Sequence, residues 1–496
     1  MYTNIKIKDL LSGVNVIDMG GVDELVVSGV TSNNGKVDKN FAFVAIAGTR
    51  FDGHTFINDV AEKGAVCAIV EYVPENCPIP CVVVDDTRLA SAYIYSNAFG
   101  NPEKSMKIVG VTGTNGKTST VFMLEKIFSE AGYRTGLLGT VKNMWCGKSR
   151  ESSLTTPVPE DLYEMFAEMR DEGVQYLFME ASSHSIALGR IAPLRFEAGI
   201  YTNLTPEHLD FHINMDDYAQ TKEKLFQNSK IGIFCADNEY TQRASQKGLC
   251  ESYTFGIDNE CSFRAENADF SSVRGISYSL RLPDNTLIDI ESSMAGKFSV
   301  YNTAGAVVCA YLLGIDKEII KKAIKEFEGV PGRIERLTPE NMPFSVFSDY
   351  AHSPDALENI LNTLICSKTD DQKLTVIFGC GGDRDRTKRP IMGKIATDLA
   401  DLAIVTSDNS RSEEPMDIIN EILGGIDKKK ENFKVICSRR DAIAYAVENA
   451  VDGEIILVAG KGHENYEITK DGKHPFDEKG EVYKAIVKRF GNKYAL

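Results

Sequence analysis

Residues 107–118 read Lys107-Ile108-Val109-Gly110-Val111-Thr112-Gly113-Thr114-Asn115-Gly116-Lys117-Thr118. The run 107–111 reads as a buried strand, the glycines after it supply a turn, and a helix is expected from Lys117. A strand feeding a Gly-rich turn and then a helix is the setting of a phosphate loop. Glycines let backbone N–H groups face phosphate oxygens, and the helix N-terminus adds its positive end. Lys117 offsets phosphate charge and the Thr118 hydroxyl is available to Mg²⁺. The common motif has a further glycine where this chain has Val111, so the loop is a shortened form. Its candidate nucleotide-binding residues are Gly113, Thr114, Asn115, Gly116, Lys117, Thr118 and Ser119.

C-terminal to the loop, apolar runs at 176–179, 198–201 and 231–235 alternate with helical segments. This pattern predicts a parallel sheet covered on both faces. That block closes near Val330-Pro331-Gly332-Arg333, a Pro-Gly turn with the character of a hinge. The alternation then resumes with strands expected at 374–378, 402–406, 433–437 and 454–459. Such doubly wound sheets bind ligands at the carboxyl ends of their strands. On the N-terminal side, short β runs at 25–27, 41–46 and 81–84 mix with helices such as 57–63, and Phe99-Gly100-Asn101-Pro102 ends the block. The expected fold is α/β in three domains: an N-terminal mixed α/β domain over 1–105, a central P-loop ATPase-like parallel sheet over 106–335, and a C-terminal Rossmann-like domain over 336–496. A length of 496 residues exceeds what one hydrophobic core usually serves, in keeping with that division.

Charge narrows the partners. Lys plus Arg total 55 against 71 Asp plus Glu, a formal net charge of -16, and such a surface repels nucleic acid and anionic membranes. The eleven cysteines contain no CxxC pair, and Cys77 with Cys81 lack the histidine or second pair of a zinc site. They read as free thiols in a reducing compartment. The N-terminus has no apolar core long enough for a signal peptide, and the longest apolar stretch, 304–315, suits a core helix but not a bilayer span. A cytoplasmic, monomeric protein without membrane insertion is expected.

Glu180 ends the apolar run 176–179. A carboxylate there is placed to hold Mg²⁺ beside phosphates, although an acid capping the next helix has the same address.

In chain order, GTNGKT (113–118), MEASSHSIALGR (179–190), TNLTPEHLDFH (202–212), YAQTKEKLF (218–226), GVPGRIE (329–335), DYAHSP (349–354), GCGGDRDRTKRP (379–390), DNSR (408–411) and AGKGHE (459–464) resemble the motifs of the Mur ligases of peptidoglycan synthesis. The closest resemblance is to the branch that adds the third residue of the stem peptide. It implies that ATP phosphorylates the D-glutamate carboxylate of UDP-N-acetylmuramoyl-L-Ala-D-Glu. The amine of a diamino acid, meso-diaminopimelate, then attacks the acyl phosphate and phosphate leaves through a tetrahedral intermediate. Joining two anions demands cations and metal around the transferring group. The UDP sugar is implied to lie against the N-terminal domain.

The resemblance also implies roles, position by position. Lys117 holds the phosphates, and Thr118, Glu180 and His208 form the Mg²⁺ shell. Asn302, Arg333 and Asp349 match positions that bind adenine, bridge the phosphates and hold the ribose, and His352 touches the phosphate or dipeptide region. Lys222 matches a lysine carried as a carbamate (N6-carboxylysine) that holds a second Mg²⁺, with Lys224 as its decoy. That modification requires a neutral amine, far from the ordinary pKa of about 10.4. Ser32, Thr155, Thr156, Ser183 and Arg190 match contacts of the UDP-muramoyl dipeptide. Arg384, Asp408, Asn409, Arg411, Gly460 and Glu464 match the diaminopimelate site, where Arg411 grips the distal carboxylate and Glu464 the distal ammonium.

Three departures stand out. Ser299 replaces the first asparagine of GxFNVYN, Asn33 replaces an arginine after Ser32, and Ser410 replaces the proline of DNPR. The last should loosen the turn, because proline would fix φ. L-lysine or another diamino acid therefore stays open as the acceptor. Folylpolyglutamate synthetase shares the phosphate loop but not AGKGHE beside DNxR, and a non-ligase P-loop switch or motor would need neither Glu180 nor Lys222. His212 and His463 lie in the motifs without an assigned role.

Overall fold

The computed structural model describes residues 4–48, 51–152, 154–272, 275–339 and 341–494. Lys107–Thr112 lies in the middle of the largest sheet, between Tyr176–Glu180 and Phe196–Tyr201 and parallel to both. Thr135–Leu138, Ser229–Cys235 and Glu251–Gly256 continue the parallel core on either side. Ile108 packs into one hydrophobic cluster, while Val109 and Val111 pack into another. The alternation of side chains across the strand thus places apolar groups on both faces. Helices Lys117–Glu130 and Lys297–Leu312 lie against each other on the Val109 side. Most of the apolar run 304–315 forms the C-terminal part of the second, whose residues Val300, Ala304 and Val307 are buried, and the run continues past the helix end at Leu312.

The central sheet departs from the all-parallel expectation. Among the described residues it has eleven strands, with an antiparallel hairpin (Lys142–Trp145, Lys148–Glu151) on one edge. An antiparallel meander (Phe263–Ser272, Gly275–Arg281, Leu287–Ser292) extends the other edge. Leu287–Ser292 alternates exposed and buried residues, the pattern of a strand with one wet face. Fully apolar runs point to buried parallel strands, whereas this alternation marks an antiparallel strand with one wet face.

The C-terminal sheet runs in the order Glu335–Arg336, Ser345–Asp349, Ile455–Ala459, Leu374–Phe378, Leu402–Val405, Phe433–Val435, parallel except for the first. Ser345–Asp349 was not among the expected strands, and Asp349 sits at its carboxyl end. The N-terminal sheet carries Gly29–Thr31, Phe41–Val44, Ala65–Val70 and Cys81–Val84 in parallel, with Val16–Asp18 antiparallel at its edge. Its helix Thr87–Ala98 packs on Pro159–Asp171 of the central domain, and one hydrophobic cluster runs through both. Among the described residues no helix is long and apolar enough to cross a membrane.

The Pro331-Gly332 turn packs tightly on the AGKGHE loop. Gly332 has φ 71°, and a Cβ there would lie 2.3 Å from the carbonyl carbon of Gly462 and the nitrogen of His463. Any side chain would force the two segments apart.

Candidate active site

A cleft of about 430 Å³ opens between the central and C-terminal domains. The Gly-rich turn forms its floor, with Gly113 and Gly116 at φ 144° and 87°. A Cβ on Gly116 would meet Asn302 Oδ1 at 2.2 Å, so glycine is what lets the loop approach the helix Lys297–Leu312. Lys117 Nζ folds back to donate to the carbonyls of Gly113 (3.0 Å) and Thr114 (2.8 Å). Burial lowers its pKa. Thr114 to Ser119, Thr155, Glu180, His208, Asn302, Arg333, Asp349 and His352 all line this cleft. Met294, Phe298, Tyr301 and Ile360 give it an apolar end.

The charged groups are held from behind. Glu180 accepts from the Thr140 N–H (2.8 Å), and the Thr140 hydroxyl lies 3.0 Å from Glu180 Oε2 and 3.1 Å from Thr155 Oγ1. Arg333 lies over the Tyr350 ring at 4.8 Å and donates from Nη2 to Thr118 Oγ1 at 3.4 Å. Its Nε is buried with no protein partner among the described residues. Asp349 accepts from the N–H groups of Ile334 and Ala351, both at 2.8 Å, and burial raises its pKa. His352 Nε2 lies 3.5 Å from Glu207 Oε1, and His208 Nε2 lies 3.8 Å from Glu207 Oε2. Burial opposes ionisation of Glu207, but the His352 hydrogen bond and the charges of His352, His208 and Lys117 together outweigh it and hold the carboxyl below the usual range. Glu207 and Thr140 line the cleft and were absent from the candidates read from sequence.

Lys222 does not line the cleft. It is buried beneath the turn, where Nζ donates to the Gly113 carbonyl at 2.8 Å and lies 3.4 Å from Thr112 Oγ1. Burial, reinforced by Lys117, pushes its pKa well below the ordinary lysine range. Lys224 is exposed. Among the described residues no group of three or more His, Cys, Asp or Glu side chains is arranged to hold a metal ion. The donors at the turn are instead single and mostly oxygen: the Thr118 hydroxyl, the Glu180 carboxylate and the His208 ring.

The other candidates fall into two further groups. Thr156 Oγ1 donates to the Glu180 carbonyl (2.8 Å), and Arg190 Nη1 to the Thr156 carbonyl (2.9 Å). Ser183 Oγ is buried without a partner among the described residues. Ser32 lies with the N-terminal sheet, its N–H on the Tyr95 hydroxyl at 2.9 Å. Glu160 of the central domain gathers Lys36 Nζ (2.9 Å), the Tyr95 hydroxyl (3.1 Å) and Thr31 Oγ1 (3.4 Å) around that turn. Local signals did not single out Glu160, because its partners come from the preceding domain.

In the C-terminal domain, Asn409 Nδ2 donates to Glu464 Oε2 (2.8 Å), and the buried Lys461 donates to Asn409 Oδ1 (3.0 Å) while pairing with Asp408 (3.3 Å). Burial raises the pKa of Glu464. Arg411 Nη1 donates to the carbonyls of Gly382 (2.8 Å) and Asn409 (3.3 Å). Arg384 is exposed on the neighbouring loop, and a Cβ on Gly460 would lie 2.9 Å from Asp408 Oδ2. None of these six residues lines the cleft. The turn loosened in expectation by Ser410 is held by packing. The Ser410 carbonyl oxygen lies 1.9 Å from where a Cβ on Gly382 would be, and the Arg411 N–H donates to the Ile468 carbonyl at 2.9 Å. The two regions meet at the AGKGHE loop, where the His463 ring lies tilted 5.2 Å from Tyr350.

Burial pushes the pKa of both His208 and His463 from 6.5 to about 4. Between these values the unfolded chain binds more protons than the folded one, so stability is present above pH 6.5 and falls as pH drops toward 4. Urea midpoints are expected to decline across that window, and His463→Gln should flatten the decline. A midpoint independent of pH there would contradict this.

The Mur ligase middle domain matches residues 111–310, and the Mur ligase glutamate ligase domain matches 332–462. The chain belongs to the Mur ligase family. Over 484 residues, 96% of this chain and 98% of the relative, this Mur ligase is 41% identical to a UDP-N-acetylmuramoyl-L-alanyl-D-glutamate--2,6-diaminopimelate ligase of Clostridium perfringens. It is also 41% identical to the ligase of that name from Clostridioides difficile, with 96% and 98% of the two chains covered. A solved structure of a ligase of that name superposes with TM-score 0.68 at 27% identity, covering 98% of this chain and 99% of the other. MurF of Acinetobacter baumannii (TM-score 0.65, 18% identity, 92% and 96% covered) shares the fold. So does Mycobacterium tuberculosis folylpolyglutamate synthase (0.62, 16%, 76% and 93%). Mur ligases are ATP-dependent, Mg²⁺-using, amide-forming enzymes.

Proposed function

We propose that this Mur ligase joins meso-diaminopimelate to the D-glutamate carboxylate of UDP-N-acetylmuramoyl-L-Ala-D-Glu in the cytoplasm, cleaving ATP to ADP and phosphate. The observation that carries the acceptor is the cluster of Arg411, Asn409 and Glu464 on adjoining C-terminal loops. A guanidinium beside a carboxylate complements an amino acid centre that itself bears a carboxylate and an ammonium. L-lysine has no distal carboxylate and would leave Arg411 unmatched.

The cleft supports the ATP half of the reaction. Its apolar end suits adenine, with Asn302 at the edge. Asp349 suits the ribose, since each of its oxygens keeps a free lone pair after accepting one N–H. Lys117 and Arg333 are the cations for the phosphates: Lys117 exchanges loop carbonyls for phosphate oxygens, and Arg333 brings an Nε without a protein partner. The oxygen donors Thr118 and Glu180, with His208, fit Mg²⁺, which takes much of its shell from phosphate and water. Bound there, Mg²⁺ would offset charge on the transferring phosphoryl group. The substrate carboxylate attacks the γ-phosphorus and the bond to the β-phosphate oxygen breaks. The acceptor amine attacks the resulting acyl carbon, gives up a proton, and phosphate leaves as the amide forms. Thr155, Thr156, Ser183 and Arg190 orient the dipeptide, while Ser32 contacts the UDP.

Lys222 is the carbamate site in this reading. Its amine nitrogen adds to the carbon of CO₂, one C=O π bond opens, and a proton is released. What supports it is place: a buried amine directly behind the phosphate turn, with Lys224 in solvent. Protein equilibrated with ¹³C-bicarbonate should show a carbamate resonance that Lys222→Met abolishes. A resonance that survives this change would sink the assignment.

The reaction is tested by phosphate release from ATP with UDP-N-acetylmuramoyl-L-Ala-D-Glu and either meso-diaminopimelate, L-lysine or no acceptor. Release with meso-diaminopimelate alone is expected. Release with lysine alone would keep the reaction and overturn the acceptor, and acceptor-independent silence would overturn both.

A further inference from the structure

Asp355 lies in the first turn of the helix Pro354–Ser367, just beyond His352 in the C-terminal domain. Its Oδ2 accepts from Asn115 Nδ2 at 2.8 Å and from Thr205 Oγ1 at 3.3 Å. Both donors belong to the central domain, and Asn115 is the middle residue of the Gly-rich turn. The backbone groups of Asn115 are satisfied within the central domain. Its N–H donates to Asn203 Oδ1 (2.9 Å), and its carbonyl accepts from Thr202 Oγ1 (2.6 Å) and Asn203 Nδ2 (3.2 Å). The side-chain amide is the one group of Asn115 whose partner comes from the other domain. Asp355, Asn115 and Thr205 all line the nucleotide cleft.

We infer that Asp355 is a positioning residue for ATP: through the Asn115 amide it holds the phosphate turn in its gripping shape from across the domain boundary. The inference rests on the reading of the cleft as the ATP site. It means that the turn is complete only while the C-terminal domain is docked, so the domain that carries the acceptor also completes the ATP site. An acid in the first turn of a helix has a simpler use, favourable interaction with the helix dipole. The two uses differ in what they require. A dipole partner needs the negative charge, whereas an acceptor for Asn115 needs only an oxygen, which an asparagine side chain retains.

Steady-state kinetics of the full-length enzyme separate them. Asp355→Ala is expected to raise KM for ATP by about five- to tenfold, chiefly through loss of the partly buried Asn115 hydrogen bond, the longer Thr205 contact going with it. KM for the UDP-muramoyl dipeptide and for the acceptor should stay put. Asp355→Asn should restore the ATP value. Asn115→Ala combined with Asp355→Ala should be no worse for KM(ATP) than Asn115→Ala alone, because the two act through one bond. A loss of stability in Asp355→Ala would not blur the result, since Asp355→Asn and the double variant report the same bond. The inference is overturned if Asp355→Ala leaves KM for ATP unchanged, or if Asp355→Asn is as impaired as Asp355→Ala. Failure of the wild-type enzyme itself to bind a non-hydrolysable ATP analogue would overturn the cleft reading instead, and the inference with it.

Discussion

Lys117→Met is expected to lower ATP-dependent phosphate release about a thousandfold while leaving the protein folded. Methionine keeps the length of the apolar stem and removes only the ammonium, so packing at the N-terminus of Lys117–Glu130 is preserved. In the resting structure that ammonium bonds to the Gly113 and Thr114 carbonyls, which lie on the loop itself. It is therefore poised to exchange two weak partners for phosphate oxygens that gain negative charge as the phosphoryl group transfers. A charge that interacts more strongly with the transition state than with bound ATP appears in kcat more than in KM. The ammonium is half-buried and its surroundings lower its pKa, so a phosphate partner is worth more to it than to a surface lysine. Single-turnover phosphate release with both co-substrates would measure this. A fall of less than about tenfold would shift the main burden to Arg333, which also lines the cleft.

Arg411→Ala is expected to lower kcat/KM for meso-diaminopimelate by about 2–5 kcal/mol of binding energy, roughly thirty- to several-thousandfold, with little change toward ATP. The guanidinium is half-buried and tethered by Nη1 to the Gly382 and Asn409 carbonyls. Its remaining donors can meet a carboxylate without a search through rotamers, which is the preorganisation that bidentate recognition needs. Two loops must hold still for this. Arg389, wholly buried, pairs with Glu413 at 2.8 Å and Glu421 at 2.9 Å, and Glu413 in turn accepts the Asp383 N–H at 2.6 Å. Competition of meso-diaminopimelate against L-lysine in one reaction, read by mass of the tripeptide product, gives the selectivity directly. An Arg411→Ala enzyme that retains the wild-type preference would remove Arg411 from the acceptor site.

The features legible in the sequence are those whose parts lie close along the chain. The strand–glycine–helix order of 107–130 is such a case, and so is the repeating strand and helix alternation of the C-terminal domain. The motif pairs DNSR and AGKGHE were legible as candidates, but that they share hydrogen bonds through Asn409, Lys461 and Glu464 was not. The same holds for Thr140 behind Glu180 and for Glu207 between His208 and His352. Each looks ordinary in its own segment, and at least one partner of each, Glu180 for Thr140 and His352 for Glu207, arrives from elsewhere in the chain.

The sequence alone marked the apolar parallel strands, their order and the candidate residues for handling phosphate, because backbone geometry, apolar periodicity and turn chemistry act over a few residues. Tertiary structure decided which of those residues face the cleft, that Lys222 lies behind the turn, and that Ser410 keeps its turn without proline. It also set Asp355 against Asn115, residues 240 positions apart. Such pairings depend on how separately folded sheets dock, and the closeness of two buried groups is a property of that packing, which no local stretch of chain encodes.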